Sequence, residues 1–468
     1  MSAPRNVVVI GAGPAGYVCA IRLAQLGQKV TIVEKGELGG TCLNVGCIPS
    51  KAMIAAGSLL EKISKASTMG IEVEGVNLDL AKLVTWKEGV VKRLTGGIGS
   101  LLKNNGVTRV VGEGRLAGPG KVLVRTNDGE QELACDDVVL ATGSVPSEVP
   151  GFDYDHDHVW SSTEALAPNR LPEHLLVIGG GYIGLELGIL YRRLGSQVTV
   201  VEFTDGVLPG QDRDCAKIIE RSLKKQKIKL ITKTGAKSYT VKDGGLDVLV
   251  EGRDGKETHI ECDQILCTVG RRPFSEGLGL ETVGLEVDGR GFLEVDSQLR
   301  TKAKGVWAIG DLAGQPMLAH KGSKEGLVAA AVIAGKPEEY DVRCVPAVIF
   351  TAPEMAAVGM SEAEAKEMGR EVITGQFPFA ASGRAMSLME TEGFVKIVAD
   401  AETDEVLGVQ MVGPEVTELI AEAALAIEMG ATTEDIARTI HAHPTLPEAL
   451  MEAAEAAHHM AVHVFQKR

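Results

Sequence analysis

One pattern occurs twice in this chain. Residues 7–35 read VVVIGAGPAGYVCAIRLAQLGQKVTIVEK, and residues 175–203 read LLVIGGGYIGLELGILYRRLGSQVTVVEF. Each copy opens on an apolar run, passes through G-x-G-x-x-G, continues as a helical stretch to Leu-Gly, and closes a second apolar run on Glu. The register is fixed: Gly11, Gly27 and Glu34 recur 168 positions on as Gly179, Gly195 and Glu202. An apolar run, a glycine turn, an amphipathic stretch and a second apolar run make a βαβ unit of the dinucleotide-binding kind. Two such units commit the chain to an α/β architecture. They imply two nucleotide cofactors, or one cofactor and one relic.

The chemistry of each fingerprint follows from its spacing. Gly11 permits a tight turn, Gly13 lets the backbone approach a pyrophosphate, and Gly16 lets helix and strand pack closely. The helix start then offers free N–H groups and a positive dipole end to the phosphates. Glu34, at the end of the next strand, is placed to accept from ribose hydroxyls. Gly179, Gly181, Gly184 and Glu202 repeat the argument. Glu202 also carries specificity, because a carboxylate there pairs with a free 2′-hydroxyl and repels a 2′-phosphate. The residues after it, Phe203-Thr-Asp-Gly-Val, supply no Arg to receive such a phosphate. The second site therefore reads as selecting NAD over NADP.

Length and charge bound the rest. The 468 residues suffice for three or four domains. Lys+Arg is 48 against Asp+Glu 63, a formal net charge of −15 without a basic run. That balance disfavours nucleic acid and anionic membranes as partners. The longest wholly apolar stretches, such as Gly326–Gly335, are about half the ~20 residues that a spanning helix needs. The N-terminus enters a strand at Val7–Ile10 with no leader pattern. Eight scattered Cys without secretory features suggest a cytoplasmic, reducing setting, where a disulfide is catalytic rather than structural.

Two of those cysteines are close together, in GGTCLNVGCIPSK (39–51). In a regular helix five residues advance about 500°, so Cys42 and Cys47 would diverge by about 140°. Bringing them together needs an irregular helix start, which Gly46 and Pro49 make plausible. A close pair next to a cofactor loop reads as a redox-active dithiol, with two structural thiols as the alternative. Zinc would want two further ligands; no CxxC occurs, and the His459–His463 spacing lies far off in the chain among residues read as surface or interface, so no metal site is expected. Cys19, Cys135, Cys215, Cys262, Cys267 and Cys344 have no motif around them and read as buried thiols. Near the C-terminus, His443 and Glu448 flank Pro444 and Pro447, a rigid turn rather than a helix. A His–Glu hydrogen bond would fix the imidazole tautomer and raise its basicity. His441 is a competing candidate, ranked as a structural neighbour. His458, His459 and His463 read as surface or interface residues of the last helix.

The segment GGTCLNVGCIPSK resembles the redox-disulfide signature of the flavin-dependent disulfide oxidoreductases, most of all the dihydrolipoamide dehydrogenase group that serves 2-oxo-acid dehydrogenase complexes. ATGS (141–144), IGGGYIGLELG (178–188), TVGRRP (268–273), WAIGDL (307–312), LAHKGSKEG (318–326) and IHAHPTLPE (440–448) follow in that family's order. The likeness covers essentially the whole chain. It implies two Rossmann-like dinucleotide-binding domains plus a C-terminal α+β dimerisation domain. The expected boundaries are an FAD-binding domain at 1–148, an NAD-binding domain at 149–273, a central domain completing the FAD site at 274–342, and an interface domain at 343–468.

The resemblance also implies roles. Cys42 matches the interchange thiol and Cys47 the charge-transfer thiol against the flavin. Lys51 and Glu186 match an ion pair beside it. Asp311 would hold the ribityl or diphosphate region, with the backbones of Gly114, Gly143 and Ala319 lining FAD. Ala236 and Gly270 would line NAD. The His443–Glu448 dyad would serve the disulfide of the other subunit of an obligate homodimer, and a lipoyl-bearing E2 or glycine-cleavage H protein would bring the substrate. A helix start and an imidazolium are expected to stabilise the thiolate. A glutathione-type reductase would want arginines after the second fingerprint. A mercuric-ion reductase would add a C-terminal Cys pair, yet the last Cys is Cys344. A non-catalytic flavoprotein would have no use for Cys42, Cys47 and His443 together.

Overall fold

The structure is a computed structural model that describes residues 3–466. Its contacts gather into two compact units. The first comprises residues 1–148, 160–170 and 269–341; the second comprises 149–159, 171–268 and 342–468.

The first unit is built on a parallel sheet ordered Val306–Ala308, Asp137–Leu140, Asn6–Ile10, Lys29–Glu34, Thr108–Val111. The helix Pro14–Gln25 connects the central pair, with Pro14 in its first turn, where a missing N–H costs nothing. The 274–342 region thus gives the sheet its Val306–Ala308 edge strand. Its helix Ala319–Ile333 lies against Pro14–Gln25, because Gly322 and Gly326 have no side chains: a Cβ on Gly326 would stand 2.6 Å from the Ala15 carbonyl oxygen. A three-stranded antiparallel sheet, Glu113–Leu116, Lys121–Thr126 and Gly129–Ala134, accompanies the parallel one.

The second unit repeats this plan. Lys229–Ile231, Gln197–Val201, His174–Ile178 and Gln264–Cys267 lie side by side and parallel. The sequence repeat extends to the pairing register. Asn6 faces Lys29 as His174 faces Gln197, and Val7 faces Asp137 as Leu175 faces Gln264. This unit also holds an antiparallel three-stranded sheet, Thr234–Lys242, Gly245–Gly252 and Glu257–Cys262. After residue 342 comes an antiparallel five-stranded sheet ordered Ala347–Ile349, Glu354–Gly359, Val406–Gly413, Phe394–Asp400, Val372–Pro378. The helices Val416–Met429 and Glu448–Ala457 pack their apolar faces into one core with it. Glu448–Ala457 seats on the edge strand at Gly375, where a Cβ would lie 2.0 Å from the Ala453 carbonyl oxygen.

Several expected elements have other limits. The long helical region expected over about 51–104 is two helices, Cys47–Ser64 and Leu80–Asn104, with non-helical residues 71–79 between them. The last helix ends at Ala457 rather than near 463, so His459 and His463 lie beyond it and His458 caps it. His459 takes a left-handed φ of 58°, which breaks the helix, and His458 Nε2 lies 2.9 Å from Asp404 Oδ1 and 2.8 Å from Thr433 Oγ1. Cys135 and Cys344 are half-buried, unlike the buried Cys19, Cys215, Cys262 and Cys267. By length and composition alone, Gly40–Ser64 is apolar enough to cross a membrane. Gly46 divides it, however, into two helices, and it carries Cys42 and Cys47.

The glycine fingerprints show why they tolerate no side chain. A Cβ on Gly16 would sit 2.0 Å from the Gly11 carbonyl oxygen, and one on Gly184 would sit 2.2 Å from that of Gly179. Gly16→Ala must push strand and helix apart. The expected outcome is a loss of about 1–3 kcal/mol in stability, read as a lowered denaturation midpoint. An unchanged midpoint would show that the turn has slack.

Candidate active site

The two fingerprint loops are built alike down to their hydrogen bonds. Gly11 N donates to Val33 O at 2.8 Å, and Gly179 N to Val201 O at 2.9 Å. Glu34 accepts from Ala12 N (2.7 Å) and Gly36 N (2.8 Å). Glu202 accepts from Gly180 N (2.6 Å) and Thr204 N (2.7 Å). Each carboxylate is therefore braced across its own loop, and each oxygen keeps a second lone pair for a ribose hydroxyl. Neither helix start has a side-chain cap. Around Gly181 a Cβ would meet no protein atom within 4 Å, and around Gly13 only the Gly40 Cα at 4.0 Å. Open glycines, uncapped helix starts and a ribose-side carboxylate fit a dinucleotide pyrophosphate in both units.

The other residues expected at the flavin divide as follows. Gly114 lies in its strand with the Cβ position 3.1 Å from Val33 Cγ1, and Gly143 has a left-handed φ of 71°. Asp311 sits in the one-turn helix Gly310–Leu312, and Ala319 opens the helix Ala319–Ile333. Asp311 Oδ2 accepts from Ser144 Oγ at 2.5 Å, and Ser144 Oγ in turn accepts from Arg271 Nε at 2.8 Å. The sequence reading missed Ser144 and Arg271, which sit in the ATGS and TVGRRP motifs. Lys51 belongs to the first unit, in the helix Cys47–Ser64. Glu186 belongs to the second, where its Oε1 accepts from Phe350 N at 2.8 Å. Of the residues expected at NAD, Ala236 lies at an irregularity of its strand in the second unit. Gly270, at φ 124°, falls in the first.

The cysteine segment is strapped onto the first fingerprint. Gly39 N donates to Ala12 O at 2.8 Å, and the Cβ position of Gly40 is 2.7 Å from Gly13 Cα. A short helix, Gly40–Val45, ends at Gly46, and Cys47–Ser64 starts anew. That interruption removes the 140° divergence. A Cβ on Gly46 would stand 2.9 Å from the Thr41 carbonyl oxygen, so only glycine fits the break. The Cys42 and Cys47 side chains are hydrogen-bonded to each other. The expectation of a stabilised thiolate needs correction for Cys42. The hydrogen bond with Cys47, burial and the Cys47 charge all push its ionisation well up, and the Lys51 cation works in the opposite direction. Two thiolates in contact repel, so loss of the Cys42 proton is disfavoured whenever Cys47 is charged. Tyr17 packs on the same core as Cys42, and burial raises its phenol.

In the second unit, His443 Nδ1 lies 2.9 Å from Glu448 Oε1. Glu448 Oε2 accepts from Thr445 N at 2.7 Å, so the turn holds the carboxylate and the carboxylate holds the ring. Partial burial raises the Glu448 carboxyl, but the Thr445 and His443 hydrogen bonds and the His443 and His463 charges outweigh it, and the net shift is downward. The His443 side chain is 80% exposed, leaving Nε2 open to a reactant. His441 is the opposite: its side chain is 5% exposed, with Nε2 at 2.8 Å from Glu422 Oε1 and Nδ1 at 2.8 Å from Thr439 O. With both nitrogens occupied, it has none left for a substrate proton. His463 Nδ1 is 2.5 Å from Glu452 Oε1, a contact that ties down the tail after the last helix.

Comparison with known proteins converges on one family. Residues 5–326 match the pyridine nucleotide-disulphide oxidoreductase model, and residues 345–454 match that family's dimerisation domain. The chain is 50% identical to dihydrolipoyl dehydrogenase of Thermus scotoductus, over 99% of both chains. It is 47% identical to that of Bacillus subtilis, over 98% of this chain and 97% of the relative. Among solved structures, LpdA from Mycobacterium tuberculosis superposes with a TM-score of 0.90 at 31% identity, covering 96% of this chain and 99% of that one. The flavoprotein disulfide reductase RclA from Escherichia coli gives 0.86 at 26% identity, with the same coverages. The chain belongs to the pyridine nucleotide-disulphide oxidoreductase family, among its dihydrolipoyl dehydrogenases.

Proposed function

We propose that the chain oxidises protein-bound dihydrolipoamide to lipoamide with NAD⁺ as the final acceptor. The observation that carries this reading is the Cys42–Cys47 pair, hydrogen-bonded across the Gly46 break and strapped to a nucleotide fingerprint. FAD, when bound at the first fingerprint, supplies the two-electron relay between that dithiol and NAD⁺, chemistry that no side chain offers.

The chain's own residues do the rest. With Cys42 and Cys47 joined as a disulfide, His443 Nε2 removes a proton from one substrate thiol, since only a thiolate attacks a disulfide. Glu448 holds the ring through Nδ1 and balances the imidazolium that forms. The substrate thiolate attacks Cys42 Sγ. The Cys42–Cys47 bond breaks, a bond from Cys42 to the substrate forms, and Cys47 leaves as a thiolate. The second substrate sulfur then displaces Cys42 Sγ, closing lipoamide. Two electrons now reside on the cysteine pair, and the substrate protons leave through Cys42 and His443. The high ionisation point of Cys42 suits this division, because Cys42 takes up the proton while Cys47 keeps the charge.

Gly11, Gly13, Gly16, Glu34, Gly114, Gly143, Asp311 and Ala319 are the proposed FAD contacts, and Lys51 and Glu186 its proposed neighbours. Gly179, Gly181, Gly184, Glu202, Ala236 and Gly270 are the proposed NAD contacts. The four-part domain division at 148, 273 and 342, a homodimer in which His443 serves the partner's disulfide, a lipoyl-bearing E2 or H protein as substrate carrier, and a reducing, cytoplasmic setting complete the proposal.

Steady-state turnover tests the reading. Dihydrolipoamide with NAD⁺ is expected to be used efficiently, and NADP⁺ or glutathione disulfide poorly. Comparable rates with glutathione disulfide and NADPH would overturn it. Glu202→Gln keeps an acceptor for the loop and removes the charge that repels a 2′-phosphate. It is expected to narrow the NAD/NADP preference about 10-fold or more, the value of ~1.4 kcal/mol of lost repulsion. An unchanged ratio would remove Glu202 from specificity.

A further inference from the structure

We propose that Lys321 and Glu325, which no part of the reaction uses, form a buried positioning pair that fixes the Gly310–Asp311 turn and thereby sets the affinity for FAD. This rests on the reading of Asp311 as a flavin-binding carboxylate. The pair lies one helical turn apart on Ala319–Ile333, with Lys321 Nζ at 2.8 Å from Glu325 Oε1. The side chains are 6% and 4% exposed. A lysine and a glutamate at i,i+4 ordinarily form a solvated pair worth a few tenths of a kcal/mol. Here both have been withdrawn from water, which is costly unless their remaining polar atoms are used.

They are used, and on a single target. Glu325 Oε2 accepts the Gly310 N–H at 2.7 Å, deep in the structure. Lys321 Nζ donates to Gly310 O (3.4 Å) and Gly314 O (2.9 Å). Both backbone groups of the residue just before Asp311 are thus held by this pair. Gly310 needs holding, since its φ of 74° is left-handed and a Cβ there would press on Ala15 at 3.1 Å. The Asp311 carboxylate is held from its other end by Ser144, itself held by Arg271. The helix bearing the pair is itself located by the fingerprint helix, because Gly322 and Gly326, adjoining the pair in sequence, press on Ala15 and Cys19. The fingerprint helix thus locates the helix Ala319–Ile333, and Glu325 is the strut from that helix to the Asp311 turn.

Two double variants separate the tether from the buried charges. Lys321→Met with Glu325→Gln is neutral but keeps an acceptor for the Gly310 N–H; Lys321→Met with Glu325→Leu is neutral without one. FAD dissociation is read from the fluorescence of released flavin, and melting is followed for the apo and FAD-loaded proteins. The Gln double variant is expected to bind FAD within about 3-fold of the parent. The Leu double variant is expected to bind at least 10-fold more weakly, with its visible flavin circular dichroism altered. Equal FAD affinity in the two variants, whatever their melting points, would overturn the proposal and leave the pair a plain stability element. Asp311→Asn is the control. If it leaves FAD affinity intact, the reading of Asp311 fails; if it weakens FAD while the Leu double variant does not, the positioning role fails alone.

Discussion

Cys47→Ser is expected to abolish dihydrolipoamide turnover and, with it, the long-wavelength absorption that a thiolate beside an oxidised flavin produces. Serine keeps the size and the helix start but has no accessible anion near neutral pH and cannot form the disulfide that the substrate must attack. The expected loss is at least ~10³-fold, or about 4 kcal/mol of barrier at 1.36 kcal/mol per decade. Cys42→Ser should be as inactive in turnover for a different reason. The electrophilic sulfur is gone, but Cys47 remains, relieved of its partner. That variant should therefore keep a thiolate band without any dithiol present. The asymmetry follows from the geometry, in which the hydrogen bond, burial and Cys47 charge keep the proton on Cys42. Titrating the band against pH in both variants, with flavin occupancy checked separately, is the measurement. Full turnover in either variant, or a band that survives only in Cys47→Ser, would reverse or remove the two roles.

How far the sequence discloses such a site depends on whether the deciding physics is local. The fingerprints were legible because the glycines are required within the βαβ unit itself: Gly16 against Gly11, and Gly184 against Gly179. The pairing of Cys42 with Cys47 was half legible. Helical geometry excluded a continuous helix and pointed to Gly46, but only the structure shows the Thr41 carbonyl that makes glycine obligatory there. The two prolines and the five-residue spacing allowed a His443–Glu448 bond, but it was the family resemblance that picked it out. The strands Glu354–Gly359 and Val406–Gly413 went unread. Val406–Gly413 is buried along its whole length at the centre of its sheet, so it shows no alternation to count.

Lys321 and Glu325 were illegible for the opposite reason. On a helix their spacing is the mark of an exposed ion pair, and only the approach of Gly322 and Gly326 to the fingerprint helix takes them out of water. The Ser144–Arg271 support of Asp311 joins positions far apart in the chain, through the pairing of Ser144–Pro146 with Arg271–Pro273. Long-range supports of this kind leave no periodic trace. The sequence therefore announces the groups that react more readily than the groups that hold them.

His443→Gln is expected to slow the dithiol half-reaction by about 10²–10⁴-fold, the usual worth of a positioned general base. NADH-driven reduction of the bound flavin should change little, because no dithiol proton moves in that direction. The 80% exposed His443 ring makes few packing contacts, so a fall in stability is not expected to confuse the result. Glu448→Gln separates holding the ring from holding the charge. The new side-chain amide has one acceptor oxygen where the carboxylate uses two, so it can accept from His443 Nδ1–H only by giving up the Thr445 N–H, and it cannot balance an imidazolium. A smaller loss than in His443→Gln is therefore expected, confined to the dithiol half-reaction, because the ring stays in place but its imidazolium is no longer balanced. Because Glu448 is held below the ordinary carboxylate range, the wild-type pair should keep its anion through mildly acidic conditions where an unassisted glutamate would begin to protonate. Stopped-flow traces of the two half-reactions, measured separately across pH, decide the matter. Equal slowing of both half-reactions in His443→Gln would mean that the substitution damages the fold or the flavin site, and the base would have to be sought elsewhere.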